Sequence, residues 1–148
     1  MECQRAGYGS LASQATDLSL APVLHRPTGP KPCRLEVLDV IVGSDEQAKQ
    51  TDDVQVRFSV YNFADGKTLQ STWTDAHSSV VINVPLHTGQ AIAAFEKGVP
   101  GMKVGGRRQL LVPPEDAYGA SSAGPIPANA TLIFVIDLIS LNKPATSS

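Results

Sequence analysis

The residues that most often perform chemistry are present in this sequence, but their spacing makes no reactive site. The histidines His25, His77 and His87 are scattered among Pro- and Ser-rich stretches without the spacing of metal ligands. No serine lies in a nucleophile-elbow sequence. Gly105-Gly106 is too short for a phosphate-cradling loop and predicts a tight turn instead. The sequence therefore predicts no metal site and no nucleophile.

The most informative stretch, residues 98–141, carries its signal in apolar and turn residues. It reads G-V-x-x-M-x-V-G-x-R, a short strand, P-P-E-x-A-Y-G, and I-P-x-N-A-T-L-x-F-x-I-D-L. These motifs, in this order and spacing, resemble the C-terminal half of the FKBP-type peptidyl-prolyl cis-trans isomerases, the macrolide-binding immunophilins. Upstream, Asp65-Gly66-Lys67 matches the family's D-G-K hairpin and Ile92–Gly98 its V-I-x-G-W-E-x-G segment. The resemblance covers residues 34–141.

The resemblance implies an isomerase (EC 5.2.1.8) that assists protein folding and needs no nucleophile, metal or cofactor. Rotation about an X–Pro bond breaks amide resonance, with a barrier of about 18–20 kcal/mol. A dry apolar pocket favours the twisted, less polar amide over the planar, well-solvated one. The implied partners are proline-containing polypeptides and macrolides of the rapamycin type.

The resemblance also places residues around the prolyl bond. The Tyr118 hydroxyl would donate to a ligand carbonyl, and so would the Ile92 backbone N–H at the start of a helix. Phe95 stands where the family usually has the Trp of the pocket floor, Phe134 lies at the pocket base, and Phe58 replaces the usual Tyr. These five residues are the predicted catalytic set.

Seven further positions are predicted to contact substrate, and several depart from the family pattern. They are Leu69, Gln70, Ile82, Val84, Ala91, Ile126 and Pro127. Leu69 replaces a Phe, Ile82 and Val84 replace two Phe residues, and Ala91 replaces a Val. Gln70 replaces an Asp, and an amide cannot supply the carboxylate that accepts a ligand hydroxyl. We expect a roomier, aliphatic pocket with weak to moderate isomerase activity and reduced macrolide affinity.

The same departures leave a second hypothesis open. An FKBP-like module could hold proline-containing or apolar segments of a partner with little or no turnover. Replacing Gln70 by Asp distinguishes the two hypotheses, because a strong rise in activity would indicate a degraded enzyme.

The elements that must position these residues follow from the hydrophobic pattern. Residues 54–60 alternate apolar and polar side chains, which predicts a half-buried antiparallel strand. Further strands are predicted at 35–42, 80–84, 107–112 and 131–141, with a hairpin turn at 64–67 and one short helix within 89–98, ended by Gly98 as its C′ residue. Arg107-Arg108 is predicted to be a solvated edge. The expected fold is α+β, an antiparallel five- to six-stranded half-barrel sheet wrapped around one short helix.

The bulk properties set the remaining expectations. The chain has 148 residues and a net charge of −2, so we expect one domain and no nucleic-acid partner. Residues 34–142 form the predicted domain. Residues 1–33 are expected to be a flexible Pro/Gly/Ser-rich segment, or else a leader that packs along the domain, and 143–148 a disordered tail.

Cys3 and Cys33 are expected to be free, with a disulfide left open. No apolar run is long enough to span a membrane, and the start lacks the apolar core of a signal peptide. We expect a cytoplasmic monomer. An exported or lipoprotein form without its leader is left open.

Overall fold

The computed structural model describes residues 35–44, 46–49, 52–63, 66–74, 79–86, 93–116, 126–127 and 129–142. The predicted N-terminal segment, the predicted C-terminal tail, both cysteines and all three histidines lie outside these ranges. Within the part of the chain that the structure describes, no helix has the length and apolar character needed to cross a membrane.

The described elements form one antiparallel sheet and one short helix, which confirms the predicted α+β fold. In chain order they are β1 (Glu36–Ile41), β2 (Asp53–Asn62), β3 (Thr68–Ser71), β4 (Ile82–Pro85), α1 (Ala93–Gly98), β5 (Arg107–Val112), a 3-10 turn (Pro114–Asp116) and β6 (Leu132–Asn142). The six-stranded sheet has the order β1-β5-β6-β2-β3, and β4 also pairs with β2. The short strands β3 and β4 therefore share one edge of the long strand β2.

The pairing of β2 with β6 sorts side chains onto two faces. It runs from Asp53 opposite Asn142 to Asn62 opposite Leu132. Because strand side chains alternate, even-numbered residues of β2 and β5, and of β6 as far as Leu138, lie on the face that carries α1, here called the concave face. Beyond the register irregularity at Gln55/Val56 the parity of β6 reverses, and Leu141 packs on this face. The concave core cluster includes Val54, Val56, Phe58, Val60, Leu110, Val112, Leu132, Phe134, Ile136 and Leu138 from the strands and Ala94, Phe95, Val99 and Met102 from and after the helix. A smaller buried cluster on the opposite, convex face contains Tyr61, Phe63, Leu111, Ile133 and Val135.

The two turns that the glycines predict are confirmed. Gly66 has a positive φ of 74°, and its N–H donates to the Asn62 carbonyl at 2.7 Å, closing the β2–β3 hairpin. Gly105 has a φ of 93°, and Gly106 N–H donates to Lys103 O at 3.0 Å in the turn before β5. Both turns need backbone angles that glycine adopts without a steric cost.

Gly98 behaves differently from the prediction. It is the last residue of α1 and has no positive φ, so it is not the C′ residue of a left-handed cap. A Cβ on Gly98 would lie 2.5 Å from Leu110 Cδ1, and Leu110 is fully buried. Glycine is therefore required by the close approach of helix and sheet. Positive φ occurs three residues later, at Gly101.

The prediction of a solvated edge at Arg107-Arg108 is wrong, because β5 lies inside the sheet between β1 and β6. Arg107 is fully buried, and its guanidinium donates from Nε to Asp137 Oδ1 at 2.6 Å and from Nη2 to Oδ2 at 2.8 Å. Burial raises the pKa of the Asp137 carboxyl, and the Arg107 guanidinium opposes that shift. Arg108 donates to Asp39 Oδ1 at 2.6 Å and to the Gly98 carbonyl at 2.8 Å, at the end of α1.

Replacing Gly98 by Ala tests whether helix propensity or the close contact with Leu110 determines stability at this position. Helix propensity alone predicts a gain of about 1 kcal/mol in the free energy of unfolding. The contact with Leu110 predicts instead a loss of about 1–3 kcal/mol, because a fully buried side chain has no room to move. Urea unfolding of the variant decides the sign. In a Leu110→Ala background the penalty of Gly98→Ala should disappear, and a penalty that persists would contradict the packing explanation.

Candidate functional site

Three phenylalanines from three different elements form a closed cluster on the concave face. The ring of Phe95 meets Phe58 with centroids 5.5 Å apart at 81° and Phe134 at 5.5 Å and 84°. Phe58 and Phe134 lie 6.5 Å apart at 28°. Edge-to-face and offset arrangements of this kind are the favourable ones, because they bring ring edges of positive potential to faces of negative potential. The predicted catalytic residues Phe58, Phe95 and Phe134 are thus brought together.

The sheet register explains why these rings meet. Phe134 lies directly opposite Val60, and Phe58 lies two residues along β2 on the same face. Side chains in this diagonal relation are within reach of one another when they are aromatic. Phe95 is contributed by α1, whose Ala94 is fully buried against the sheet.

The three rings are almost completely shielded from solvent. Phe134 is 1% exposed, whereas Phe58 and Phe95 keep 7% and 8% of their surface accessible. Ile126 and Val84 are buried in the same core cluster. Leu69 and Ile82 are partly buried and pack against it. An apolar floor with aliphatic neighbours is the arrangement that the sequence predicts.

A β-bulge brings two successive residues of β3 to this region. Gln70 pairs with Val60 and Thr68 pairs with Tyr61, which leaves Leu69 as the extra residue between them. Leu69 packs against the core cluster, whereas Gln70 is exposed. Pro127 is exposed too. The predicted substrate contacts therefore divide into an apolar wall and an accessible rim.

Three predicted site residues, Tyr118, Ile92 and Ala91, lie outside the described residues. Their roles stay predictions. For Ile92 the described structure gives the adjacent position: α1, which carries Phe95, begins at Ala93, the next residue in the chain.

The sequence analysis missed a group of hydroxyl side chains that surrounds the backbone of Phe58. Thr72 Oγ1 accepts a hydrogen bond from Phe58 N–H at 3.0 Å and lies 2.8 Å from Ser79 Oγ. Ser71 Oγ lies 2.8 Å from Ser59 Oγ. The only signal in the sequence is the recurrence of hydroxyl residues on both sides of Trp73. These hydroxyls are positioned to hold the strand rather than to act as nucleophiles.

Comparison with known sequences gives one family. The sequence model of the family described as FKBP-type peptidyl-prolyl cis-trans isomerase matches residues 44–139. A probable FK506-binding protein of Corynebacterium glutamicum is 41% identical over 119 residues, which cover 80% of this chain and 97% of that protein. An FK506-binding protein of Streptomyces anulatus is 34% identical over 122 residues, which cover 81% of this chain and 96% of that protein.

Solved structures agree with the sequence comparison. FkpA from Escherichia coli is similar with a TM-score of 0.64 and 31% identity, over 75% of this chain and 49% of that chain. The crystal structure of AtFKBP13 is similar with a TM-score of 0.64 and 26% identity, over 73% of this chain and 93% of that chain.

The ring contacts can be measured by a double-mutant cycle of Phe58→Leu and Phe95→Leu. We expect a coupling of about 0.5–1.5 kcal/mol in the free energy of unfolding, because each substitution removes one partner of an edge-to-face pair. Phe63 lies in the cluster on the convex face, so Phe63→Leu combined with Phe95→Leu is the matched control and should be additive. Equal coupling in both cycles would contradict a specific contact between Phe58 and Phe95.

Proposed function

Because the chain belongs to the family of FKBP-type peptidyl-prolyl cis-trans isomerases, we propose that the cluster of Phe58, Phe95 and Phe134 is the floor of its prolyl-binding site. The observation that carries this proposal is the meeting of three rings from β2, α1 and β6 in one nearly closed apolar cluster. Membership of the family confirms the prediction made from the motifs between residues 98 and 141. The reaction of this family is the cis-trans isomerisation of X–Pro bonds.

The proposed mechanism is differential binding by desolvation. In the planar ground state the prolyl amide is conjugated and well solvated, whereas in the twisted state it loses conjugation and its carbonyl sheds charge. An apolar floor replaces water around the amide and disfavours the planar form more than the twisted one. An acceleration of about 10⁴-fold requires about 5–6 kcal/mol, which is within reach of a dry pocket with a few oriented hydrogen bonds.

The orienting hydrogen bonds are assigned to residues outside the described ranges. The Tyr118 hydroxyl and the Ile92 backbone N–H would each donate to a carbonyl of the bound peptide. The start of α1 at Ala93 supports the second role, because the first N–H groups of a helix lack partners within it. Ala91 would flank the prolyl ring, and Ile126 and Pro127 would lean over it.

The ligand class follows from the pocket walls. We expect proline-containing polypeptides as substrates and macrolides of the rapamycin type as ligands of reduced affinity. Support for the second expectation comes from relatives named FK506-binding proteins and from aliphatic walls at Leu69, Ile82 and Val84. The monomeric state expected from the sequence stays a prediction.

The direct test of the proposed function is exchange spectroscopy by NMR on a short Leu-Pro peptide. We expect the wild-type protein at micromolar concentration to accelerate cis-trans exchange, and Phe95→Ala to lower that rate at least tenfold, since truncation opens the floor to water. Ser140→Ala is the matched control, because Ser140 is an exposed residue of β6 that bonds Gln55. Exchange by folded wild-type protein that equals exchange in buffer would refute the proposal.

The rim residue Gln70 supplies a second prediction. Replacing exposed Gln70 by Asp should raise rapamycin affinity and isomerase activity about tenfold each, because a carboxylate makes stronger hydrogen bonds than an amide oxygen. Asn83→Asp is the matched control, since it adds the same charge at an exposed position of β4 and keeps the acceptor for Gln55. Isothermal titration and NMR exchange measure both quantities. No change in activity would favour the second hypothesis, a pocket that serves binding, and no change in either quantity would contradict a role for Gln70 in the site.

A further inference from the structure

The edge of β2 that carries two short strands has a gap at Phe58. Strand β4 pairs with residues 53–56 of β2, and β3 pairs with residues 59–61. Residues 57 and 58 lie between the two. Both backbone polar groups of a strand residue point to the same edge, so at Phe58 one donor and one acceptor face this gap.

Thr72 supplies both missing partners. Phe58 N–H donates to Thr72 Oγ1 at 3.0 Å, and Thr72 N–H donates to Phe58 O at 2.9 Å. Thr72 is 7% exposed, so water does not readily replace either bond. One residue, with a hydroxyl in place of a backbone carbonyl, thus does what a continuous partner strand would do.

The Thr72 hydroxyl also connects Phe58 to the segment that enters β4. Ser79 Oγ lies 2.8 Å from Thr72 Oγ1 and donates to Val80 O at 2.8 Å, and the Thr72 hydroxyl also donates to Phe58 O at 3.3 Å. Val80 N–H in turn donates to Thr72 O at 3.0 Å. These contacts therefore link the Phe58 backbone through Thr72 and Ser79 to Val80, two residues before β4.

We propose that Thr72 is a positioning residue of the prolyl site. It fixes the backbone of Phe58, whose ring contacts Phe95 and Phe134, and it ties that backbone to the strand that carries Ile82 and Val84. Its hydroxyl thereby sets the distance between the aromatic floor and the aliphatic wall. This inference rests on the proposed function, because Thr72 acts through residues assigned to the pocket and does not touch substrate.

The consequence of losing the hydroxyl follows from the geometry. Without it, Phe58 N–H has no acceptor on this edge, while β6 still holds the other edge of β2 at this point. The backbone bonds from Thr72 N–H to Phe58 O and from Val80 N–H to Thr72 O remain, but the link from Phe58 N–H to Ser79 is lost, so β2 is held less firmly beside Ser79 and β4. A pocket that stabilises a twisted amide by excluding water is sensitive to such a shift, whereas the ladder elsewhere is unaffected.

Four variants test the proposal. Thr72→Val keeps the shape and removes the hydroxyl, Thr72→Ser keeps the hydroxyl, Ser79→Ala removes the next bond, and Ser140→Ala is the control on β6. At a temperature where every variant is folded, we expect Thr72→Val to lower kcat/KM about tenfold, mainly through kcat, and Ser79→Ala to lower it about threefold. Thr72→Ser and Ser140→Ala should stay within about twofold of the wild type.

A second readout does not depend on catalysis. Nuclear Overhauser contacts between the rings of Phe58 and Phe95 should weaken in Thr72→Val and persist in Thr72→Ser.

The outcomes separate this proposal from the proposed function. If the wild type catalyses exchange and folded Thr72→Val is as active, the positioning role is refuted while the proposed function stands. If Thr72→Ser is as impaired as Thr72→Val, the hydroxyl does not position Phe58, and the proposal also fails. If the wild type is inactive, the proposed function fails, and the ring contacts alone decide whether Thr72 positions Phe58.

Discussion

The antiparallel ladder between β2 and β6 is the constraint on which the rest of the structure depends. Ten residues of β2 are in register with β6, and this register decides which side chains share a face with α1. A slip by one residue would move Phe134 to the convex face and leave Phe58 without it. The irregularity between Gln55 and Val56 lies in the first half of the strand, so the half that carries the aromatic floor remains regular.

A charge cluster on the convex face is matched to that register. Asp137 on β6 lies directly opposite Arg107 on β5 and Arg57 on β2. In any other register a fully buried guanidinium or carboxylate would lose its partner, and removing one partner of such a pair costs about 3–5 kcal/mol. The desolvated carboxylate, whose pKa is raised by burial, therefore lies behind the sheet, and the pocket face stays apolar. The charged groups are therefore paired across the strands without weakening the dry environment that the proposed mechanism needs.

Sequence reasoning succeeded where the signal is local and periodic. The alternation around Val54 and Phe58 predicted β2, and the apolar run after Thr131 predicted β6, because a half-buried and a nearly fully buried strand each have a characteristic pattern. It failed at Gly98 and Arg107, where the deciding partner, Leu110 or Asp137, comes from a distant element. The role of Thr72 could not be predicted, because it depends on where two short strands end along one edge of β2.

The same division between long and short elements applies to the site. The proposed floor is built on β2, β6 and α1, and its departures from the family pattern, Phe58 for Tyr and Phe95 for Trp, keep an aromatic ring. The positions that lose a ring or a carboxylate, Leu69, Gln70, Ile82 and Val84, all lie on β3 and β4, which have four residues each. In the proposed mechanism, desolvation of the prolyl amide depends on the floor, whereas the choice of ligand depends on the walls and rim. On this division the wall and rim substitutions lower both ligand affinity and the rate of turnover but do not abolish the reaction, provided that the hydroxyl of Thr72 keeps the floor and the wall at a fixed distance.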